Sequence, residues 1–398
     1  MKKFNPALAI QDIDSLGEFK GVNPDITDSA TFTFSKAQTM TDTFQGKTEG
    51  CYLYSRHWNP SNKSLATMLA AMEDTEAAWV TGSGMGAITA TILQLCNSGD
   101  HIVSSMTIYG GAFAFLNNYL KKFNIETTFV NITDIDAVKK AMRPNTKLIY
   151  TETLTNPLLQ VSNLPELSKI AHQYAAKLVC DNTFTPMIVT PVHHGADIVV
   201  YSLTKFVNGK NDCVGGAICA DLDFINSLAD VNSGTAMLLG PVLAPQLAAS
   251  IQKNLHTLHI RMLQHSKNAL YLSKEFKKMG INCVYPGLPD CKGHETFKSI
   301  MNQEYGFGGI LTIDLKTAEK ANKVMEKMQD SGVGYLAVSL GYFKTLFSNS
   351  GRSTSSEVPE DVQKEMGMSE GLIRFSVGLD MDIEDTFTRI KNVLSLYA

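Results

Sequence analysis

Residues 147–202 decide the fold, because four stretches within them alternate in character: KLIYTET (147–153), LPELSKIAHQYAA (164–176), KLVCDNT (177–183) and ADIVVYS (196–202). The first, third and fourth are short apolar runs typical of buried strands, and the second has the apolar spacing of a helix. This alternation predicts a mostly parallel α/β sheet covered by helices. Ligands of such sheets bind at the carboxyl ends of the strands, so the polar residues that follow each run are the candidates for function.

The alternation extends to both sides of this segment. Upstream, HIVSS (101–105) and TTFVNI (127–132) predict strands, and DIDAVKKAM (134–142) predicts a helix capped by Asp. Downstream, a long helical stretch is followed by shorter strands and helices. The predicted organisation is a polar N-terminal arm (1–58), a large α/β domain (59–248) and a smaller C-terminal α+β domain (249–398).

The composition is that of an ordinary soluble globular protein, with 44% hydrophobic and 19% charged residues. The net charge of −4 gives no reason to expect nucleic acid or an anionic membrane as a partner. Seven scattered cysteines without a CxxC pair predict neither a disulfide framework nor a metal site. The N-terminus lacks the pattern of a signal peptide, and no stretch approaches the roughly 20 apolar residues of a membrane span, so a cytoplasmic location is expected.

The turn TGSGMGAI (81–88) follows the strand-like AAWV and opens a helix. Its glycines let the backbone approach a ligand, and the N-terminus of a helix offers unpaired amides that suit a phosphate. The turn also fits the dinucleotide fingerprint loosely, but that motif needs an acidic residue at the end of the next strand, and Asp100 precedes that strand. A nicotinamide site and a packing turn without a ligand are the alternatives to a phosphate site.

Asp181 ends the run KLVCD, and Lys205 follows after one further predicted strand. Both side chains are therefore expected at one edge of the sheet. This pair suits pyridoxal 5′-phosphate (PLP), because a lysine forms the Schiff base with the aldehyde and a carboxylate keeps the pyridine nitrogen protonated. Ser202 and Thr204 flank the lysine and supply hydroxyls for the phosphate. A surface lysine and a turn-forming Asp are the alternatives, and the joint spacing disfavours both together.

Eight short stretches resemble the Cys/Met-metabolism family of PLP-dependent enzymes and occur in the order of that family. They are YSRHWNPS (54–61), SGMGAI (83–88), IYGGAF (108–113), ETLTNP (152–157), CDNTFTP (180–186), YSLTKFVNG (201–209), AVSLG (337–341) and IRFSVGLD (373–380). The resemblance implies an α/β protein of PLP-dependent fold type I, which is aspartate-aminotransferase-like, with PLP as cofactor. It also implies an amino-acid substrate and a homo-oligomer, a dimer of dimers in which subunits share active sites.

The resemblance further implies a role for each site residue. Lys205 becomes the Schiff-base lysine and proton shuttle, and Tyr109 stacks on the cofactor ring as a second catalytic residue. Asp181 pairs with the pyridine nitrogen, and Arg374 and Ser339 contact the substrate carboxylate. The other cofactor contacts implied within the subunit are Gly84, Met85, Asn156, Thr183, Ser202 and Thr204. Tyr54 and Arg56, in the arm, are expected to reach the cofactor phosphate of a neighbouring subunit.

The implied chemistry removes an α-proton and a β-proton and then releases a γ-substituent. The expected function is γ-elimination on a sulfur amino acid, of the methionine γ-lyase type. Val338 favours this choice, since cystathionine-handling members have a glutamate there and valine cannot hold a distal ammonium. The alternatives are γ-replacement, as in an O-acetylhomoserine sulfhydrylase, and PLP binding without turnover. Gly111, where methionine γ-lyases usually have cysteine, and the divergent stretch 345–358 leave elimination and replacement both open.

Overall fold

The computed structural model describes residues 3–13, 18, 21–350 and 357–397. Part of the divergent stretch, residues 351–356, lies outside the described residues. A seven-stranded sheet dominates the first 220 positions, and its strands are β1 (Ala77–Thr81), β2 (His101–Ser105), β3 (Glu126–Val130), β4 (Thr146–Glu152), β5 (Lys177–Asp181), β6 (Ile198–Ser202) and β7 (Gly216–Ala220). Their spatial order is β1-β7-β6-β5-β4-β2-β3.

This sheet is mostly parallel, as the alternation in 147–202 predicted. Strands β3, β2, β4, β5 and β6 pair in parallel along the sheet, whereas β7 is antiparallel to both β6 and β1. The register pairs Glu152 of β4 with Asp181 of β5. The carboxyl ends of β4, β5 and β6 therefore meet at one edge, where a ligand of this type of sheet binds.

The central strands are buried on both faces, which is why their sequences are continuously apolar. Cys180, Val199 and Tyr201 belong to the apolar cluster on one face of the sheet. Val179 and Val200 alternate with them and belong to the cluster on the other face. The functional candidates of this region lie at or just beyond the carboxyl ends of these strands.

Helices cover both faces and form the connections. Within the described residues the α-helices are α1 (Pro6–Gln11), α2 (Ala37–Phe44), α3 (Pro60–Glu73), α4 (Gly84–Leu95), α5 (Gly110–Ala114), α6 (Ile135–Ala141), α7 (Leu164–Gln173), α8 (Leu222–Ala229), α9 (Thr235–Leu239), α10 (Pro245–Leu255), α11 (Leu258–Lys278), α12 (His294–Ile300), α13 (Ala318–Asp330), α14 (Glu360–Glu365) and α15 (Ile383–Ser395). None of these helices is both long and apolar enough to cross a bilayer.

A second, five-stranded sheet lies in the C-terminal part of the chain. It contains β8 (Asn282–Val284), β9 (Ile310–Asp314), β10 (Gly334–Leu336), β11 (Thr345–Asn349) and β12 (Leu372–Ser376), in the order β10-β11-β12-β9-β8. Ile373 and Phe375 of β12 pack in an apolar cluster with side chains of α11, α13 and α15. Because side chains alternate along a strand, Arg374 faces the opposite side, away from that cluster.

Three local features differ from the pattern expected from the sequence. The arm contains α1 and α2, although its sequence has little periodicity. The apolar spacing of FAFLNNYLKKF (113–123) predicts one helix, but the stretch contains the end of a short α-helix, a π-helical segment (Phe115–Tyr119) and a 3-10 turn (Leu120–Phe123). The division between 59–248 and 249–398 falls inside α10, so the domain boundaries stay a prediction.

Candidate active site

A cavity of about 290 Å³ lies at the carboxyl ends of β4, β5 and β6, close to the lower limit of typical ligand pockets. Most of the predicted site residues line it: Gly84, Met85, Tyr109, Asn156, Asp181, Thr183, Ser202, Thr204, Lys205 and Arg374. The other lining residues are Ser83, Ile88, Glu152, Leu154, Phe184, Val214, Val338 and Leu340. Among these eight, Val338 is the residue to which the sequence analysis assigned a role.

Lys205 lies in the turn directly after β6 and its amine reaches a partner in the C-terminal part of the chain. Lys205 Nζ donates to Ser339 Oγ at 3.0 Å, and that hydroxyl in turn donates to Asn211 Oδ1 at 2.9 Å. Burial and the nearby Arg374 guanidinium lower the pKa of Lys205 to about 8. A lysine that loses its proton so readily can act as a nucleophile and a base near neutral pH.

Asp181 is the buried carboxylate at the end of β5. Its Oδ1 accepts the backbone N–H of Thr183 at 2.9 Å. Burial raises the pKa of Asp181, although its hydrogen bonds with Thr183 and Tyr150 act in the opposite direction. Burying an ionised carboxylate is costly without a cationic partner. A protonated pyridine nitrogen would supply that partner, so the residue fits the PLP ring.

The N-terminus of α4 forms the polar end of the cavity. The Ser83 side chain caps this helix by accepting the Gly86 N–H at 2.9 Å. A Cβ atom on Gly84 would lie 2.7 Å from Ser202 Cβ, so only glycine lets the helix start this close to the end of β6. Helix amides and the Ser202 and Thr204 side chains therefore converge on one site, which suits a phosphate group.

The hydroxyls of two threonines in this region have partners within the protein. Thr183 Oγ1 accepts the Ser202 N–H at 2.8 Å, which ties the end of β5 to the end of β6. Thr204 Oγ1 accepts the Gly215 N–H at 3.1 Å. The two threonines thus fix the backbone that carries Asp181, Ser202 and Lys205.

Arg374 enters the cavity from β12 and is almost completely buried. Its Nη1 donates to Asn156 Oδ1 at 2.9 Å, and its Nη2 contacts the carbonyl oxygens of Val338 and Ser339 at 3.3 and 3.4 Å. The Nε atom has no partner among the described residues. Burial lowers the pKa of Arg374 to about 10. A buried guanidinium with a free donor fits a carboxylate ligand.

Tyr109 stands at the mouth of the cavity, where its side chain is 42% exposed. Partial burial and, to a smaller extent, Glu357 raise the pKa of its phenol. The ring reaches its position over a glycine, because a Cβ atom on Gly111 would lie 2.6 Å from Tyr109 Cε1. The residue that departs from the expected cysteine is therefore the one that makes room for the ring.

Glu152 lines the cavity and begins the motif ETLTNP, but no role for it was predicted from the sequence. Its Oε1 accepts the Tyr109 N–H and its Oε2 accepts the Asn156 N–H, each at 2.7 Å. Its position at the end of KLIYTET, in register with Asp181, is the signal that could have identified it.

Tyr54 and Arg56 do not line this cavity within the chain. Arg56 Nη1 donates to the carbonyl oxygen of Met237 at 2.7 Å, and the guanidinium lies 5.6 Å from the centre of the Tyr54 ring. Both side chains are exposed, and Arg56 contacts α9 through Met237. Their predicted contact with a neighbouring subunit's cofactor stays a prediction.

Comparisons with known proteins agree with this geometry. Residues 8–395 match the family model of the Cys/Met metabolism PLP-dependent enzymes. A methionine γ-lyase of Arabidopsis thaliana is 42% identical, over 97% of this chain and 89% of its own length. An L-methionine γ-lyase of Fusobacterium nucleatum subsp. polymorphum is 37% identical, over 93% of this chain and 92% of its own.

One solved structure carries the expected cofactor. It is a Campylobacter jejuni protein, provisionally identified as an O-acetylhomoserine (thiol)-lyase, that contains N′-pyridoxyl-lysine-5′-monophosphate. The two structures superpose with a TM-score of 0.91 at 27% identity, over 98% of this chain and all of that chain. The predicted α/β architecture, PLP-dependent fold type I, is confirmed.

Proposed function

The chain belongs to the Cys/Met metabolism PLP-dependent enzymes, and from that premise we propose that it is a methionine γ-lyase. The reaction converts L-methionine and water into methanethiol, ammonia and 2-oxobutanoate. The observation that carries this proposal is the convergence of Lys205, Asp181 and Arg374 on one cavity with an otherwise largely apolar wall. PLP, when bound at Lys205, supplies the electron sink that makes protons next to the amino group acidic.

The side chains divide this work according to their chemistry. Lys205 has a pKa of about 8 and can accept and return protons without a large energetic cost. The Lys205 amine is held in place by the hydrogen bond that it donates to Ser339 Oγ. Arg374 would orient the substrate through its carboxylate, since its side chain lines the cavity and its Nε has no partner among the described residues.

The wall of the cavity favours a thioether over a second charged group. Leu154, Phe184, Val338 and Leu340 contribute apolar side chains there. Val338 also stands at the position where, by the family resemblance, cystathionine-handling enzymes have a glutamate. Valine offers no carboxylate to pair with a distal ammonium, which disfavours cystathionine as the substrate.

The second candidate is γ-replacement, in which a thiol displaces the acetate of O-acetylhomoserine. It is supported by the similarity to the Campylobacter jejuni structure and by Gly111. The candidates separate when O-acetylhomoserine is supplied with and without sulfide. Consumption that depends on sulfide, together with inertness toward methionine, would favour replacement.

The working form proposed is a cytoplasmic homo-oligomer, a dimer of dimers, in which Tyr54 and Arg56 reach the neighbouring subunit's cofactor. This is supported by the polar arm and by exposed apolar residues of α9 beside Arg56. Leu238 and Leu239 are 55% and 60% exposed. Such a patch in a soluble protein is suited to burial against another subunit.

The direct test of the lysine assignment compares the two lysines of the same loop. Lys205→Ala should give a colourless protein without turnover of methionine. Lys210→Ala is the matched control, because Lys210 is exposed and only five positions away. A yellow, active Lys205→Ala variant would contradict the assignment.

A further inference from the structure

We propose that Glu152 is a positioning residue that holds the ring-stacking residue Tyr109 and the substrate-binding Arg374 in register with the cofactor. The inference rests on the proposed function, because it concerns residues of the same site. Through this one buried carboxylate, the residue expected to stack on the cofactor is connected to the residue expected to bind the substrate carboxylate.

The geometry around Glu152 is that of a two-pronged acceptor. One oxygen accepts the backbone N–H of Tyr109, and the other accepts the backbone N–H of Asn156. Tyr109 immediately precedes α5, which begins at Gly110, whereas Asn156 follows β4 in the same segment as Glu152. The carboxylate therefore joins two loops that are 43 and 4 residues away in sequence.

Both loops carry the side chains that face the ligand. Asn156 uses its side-chain oxygen to accept from Arg374 Nη1 at 2.9 Å. A shift of the Asn156 backbone would therefore move the guanidinium that would bind the substrate carboxylate. The backbone N–H of Tyr109 is the point at which Glu152 holds the segment that carries the ring.

Glu152 is a buried carboxyl group close to a second one, Asp181. Its side chain is 6% exposed and lies in register with Asp181 across the β4–β5 pair. Burial and Asp181 raise the pKa of Glu152, while the two N–H donors and Arg374 act in the opposite direction. Two neighbouring buried carboxyls are costly, and a role that requires both of them accounts for their presence.

The test replaces Glu152 by Gln, which keeps the size and burial of the side chain. Glutamine has one acceptor oxygen, so its NH₂ group must face one of the two backbone N–H donors, and one hydrogen bond is lost. We expect the Kd for PLP, measured by absorbance titration of the apoprotein, to rise about tenfold, because the lost hydrogen bond no longer holds the segment of Tyr109 or Asn156 against the cofactor. The visible circular dichroism of the bound cofactor should weaken, and the KM for L-methionine should rise several-fold.

Ser162→Ala is the matched control for loss of a buried hydrogen bond in this segment. Ser162 Oγ donates to the backbone oxygen of Glu152 and does not touch its carboxylate. This control should lower the unfolding temperature without changing the dichroism or the KM. Glu152→Asp keeps the charge but reaches only one amide, so it should show the same changes to a smaller extent, and it replaces the Gln variant if that variant does not fold.

Wild-type PLP affinity, dichroism and KM in a folded Glu152→Gln or Glu152→Asp variant would overturn the proposal, even if the variant unfolds at a lower temperature. The PLP titration and the dichroism need no substrate. A chain that binds PLP but does not turn over methionine would therefore contradict the proposed function and still test the role of Glu152.

Discussion

Lys205 combines burial with a cationic neighbour, and both disfavour its protonated form. An ordinary lysine amine is protonated at neutral pH, so it neither attacks an aldehyde nor accepts a proton. The pKa of about 8 leaves an appreciable neutral fraction near pH 7.5. The burial of Lys205 therefore allows its amine to act as a nucleophile and a base near neutral pH.

The first prediction concerns the pH dependence of cofactor uptake. The rate at which apoprotein takes up PLP should rise with pH, with a midpoint near pH 8 and a plateau at higher pH, because only neutral Lys205 attacks the aldehyde. Since Arg374 lowers this pKa, Arg374→Met should move the midpoint to higher pH. Stopped-flow absorbance measures both. A wild-type midpoint near 10.5, the ordinary lysine value, would contradict the assigned environment.

The second prediction concerns Gly111. Gly111→Ala should displace the Tyr109 ring, because the added Cβ would lie 2.6 Å from its Cε1. We expect kcat/KM to fall about tenfold, as misplacement of a group at the reacting centre commonly does. Measuring the unfolding temperature of the same variant separates displacement of the ring from a general loss of stability. Unchanged kcat/KM for Gly111→Ala would sink this interpretation.

At the scale of elements, the strand ends explain what the sequence could predict. Asp181 and Lys205 were predictable, because each follows an apolar run and ligands of parallel sheets bind at the carboxyl ends of the strands. Glu152 stands at an equivalent end, but its role depends on where the Tyr109 and Asn156 amides point. Those directions follow from loop conformation, which apolar periodicity does not specify. Residues 216–220 of β7 were likewise not singled out, because short antiparallel strands carry a weak pattern.

The third prediction concerns the support that α11 gives to the lysine loop. The Arg261 guanidinium donates to the carbonyl oxygens of Phe206, Val207 and Asn254, and the first two directly follow Lys205 in the chain. Arg261→Met should lower the free energy of unfolding by about 3 kcal/mol, because buried carbonyls lose their charged donor. It should also lower PLP occupancy.

Arg389→Met is the control for this prediction. Arg389 forms a surface ion pair with Asp385 on α15, and such pairs contribute little. Urea unfolding measures both variants. Equal stability losses in the two would show that the Arg261 contacts do not support the loop.

At the scale of the whole molecule, the site is assembled from distant parts of the chain. The large sheet supplies Asp181 and Lys205, and the C-terminal sheet supplies Arg374 across the cavity. The sequence indicated both parts through their strand and helix patterns. It could not show whether the arm contacts another subunit, because contacts between subunits leave no periodic signature within one chain.

The fourth prediction tests whether Arg56 serves a neighbouring subunit. Arg56→Ala should raise the Kd for PLP about 10- to 100-fold, because a phosphate loses a charge-assisted hydrogen bond. Lys63→Ala, at an exposed lysine seven positions away, should leave the Kd unchanged. An unchanged Kd for Arg56→Ala would count against the shared site.

Mixing Lys205→Ala with Arg56→Ala, at a PLP concentration too low to load the Arg56→Ala protein, gives a sharper form of this test. A dimer of one Lys205→Ala subunit and one Arg56→Ala subunit contains one site with both residues intact. Random exchange should therefore restore about a quarter of the wild-type activity per subunit. No recovery after demonstrated subunit exchange would mean that each site is completed within its own chain.

The most direct test of the central claim is the release of 2-oxobutanoate from L-methionine by the PLP-loaded enzyme with no thiol added. We predict 2-oxobutanoate, methanethiol and ammonia in equal amounts, and none of them with Lys205→Ala. Absence of 2-oxobutanoate from methionine, with O-acetylhomoserine consumed only when sulfide is present, would contradict γ-elimination of methionine and identify the enzyme as a γ-replacement transferase.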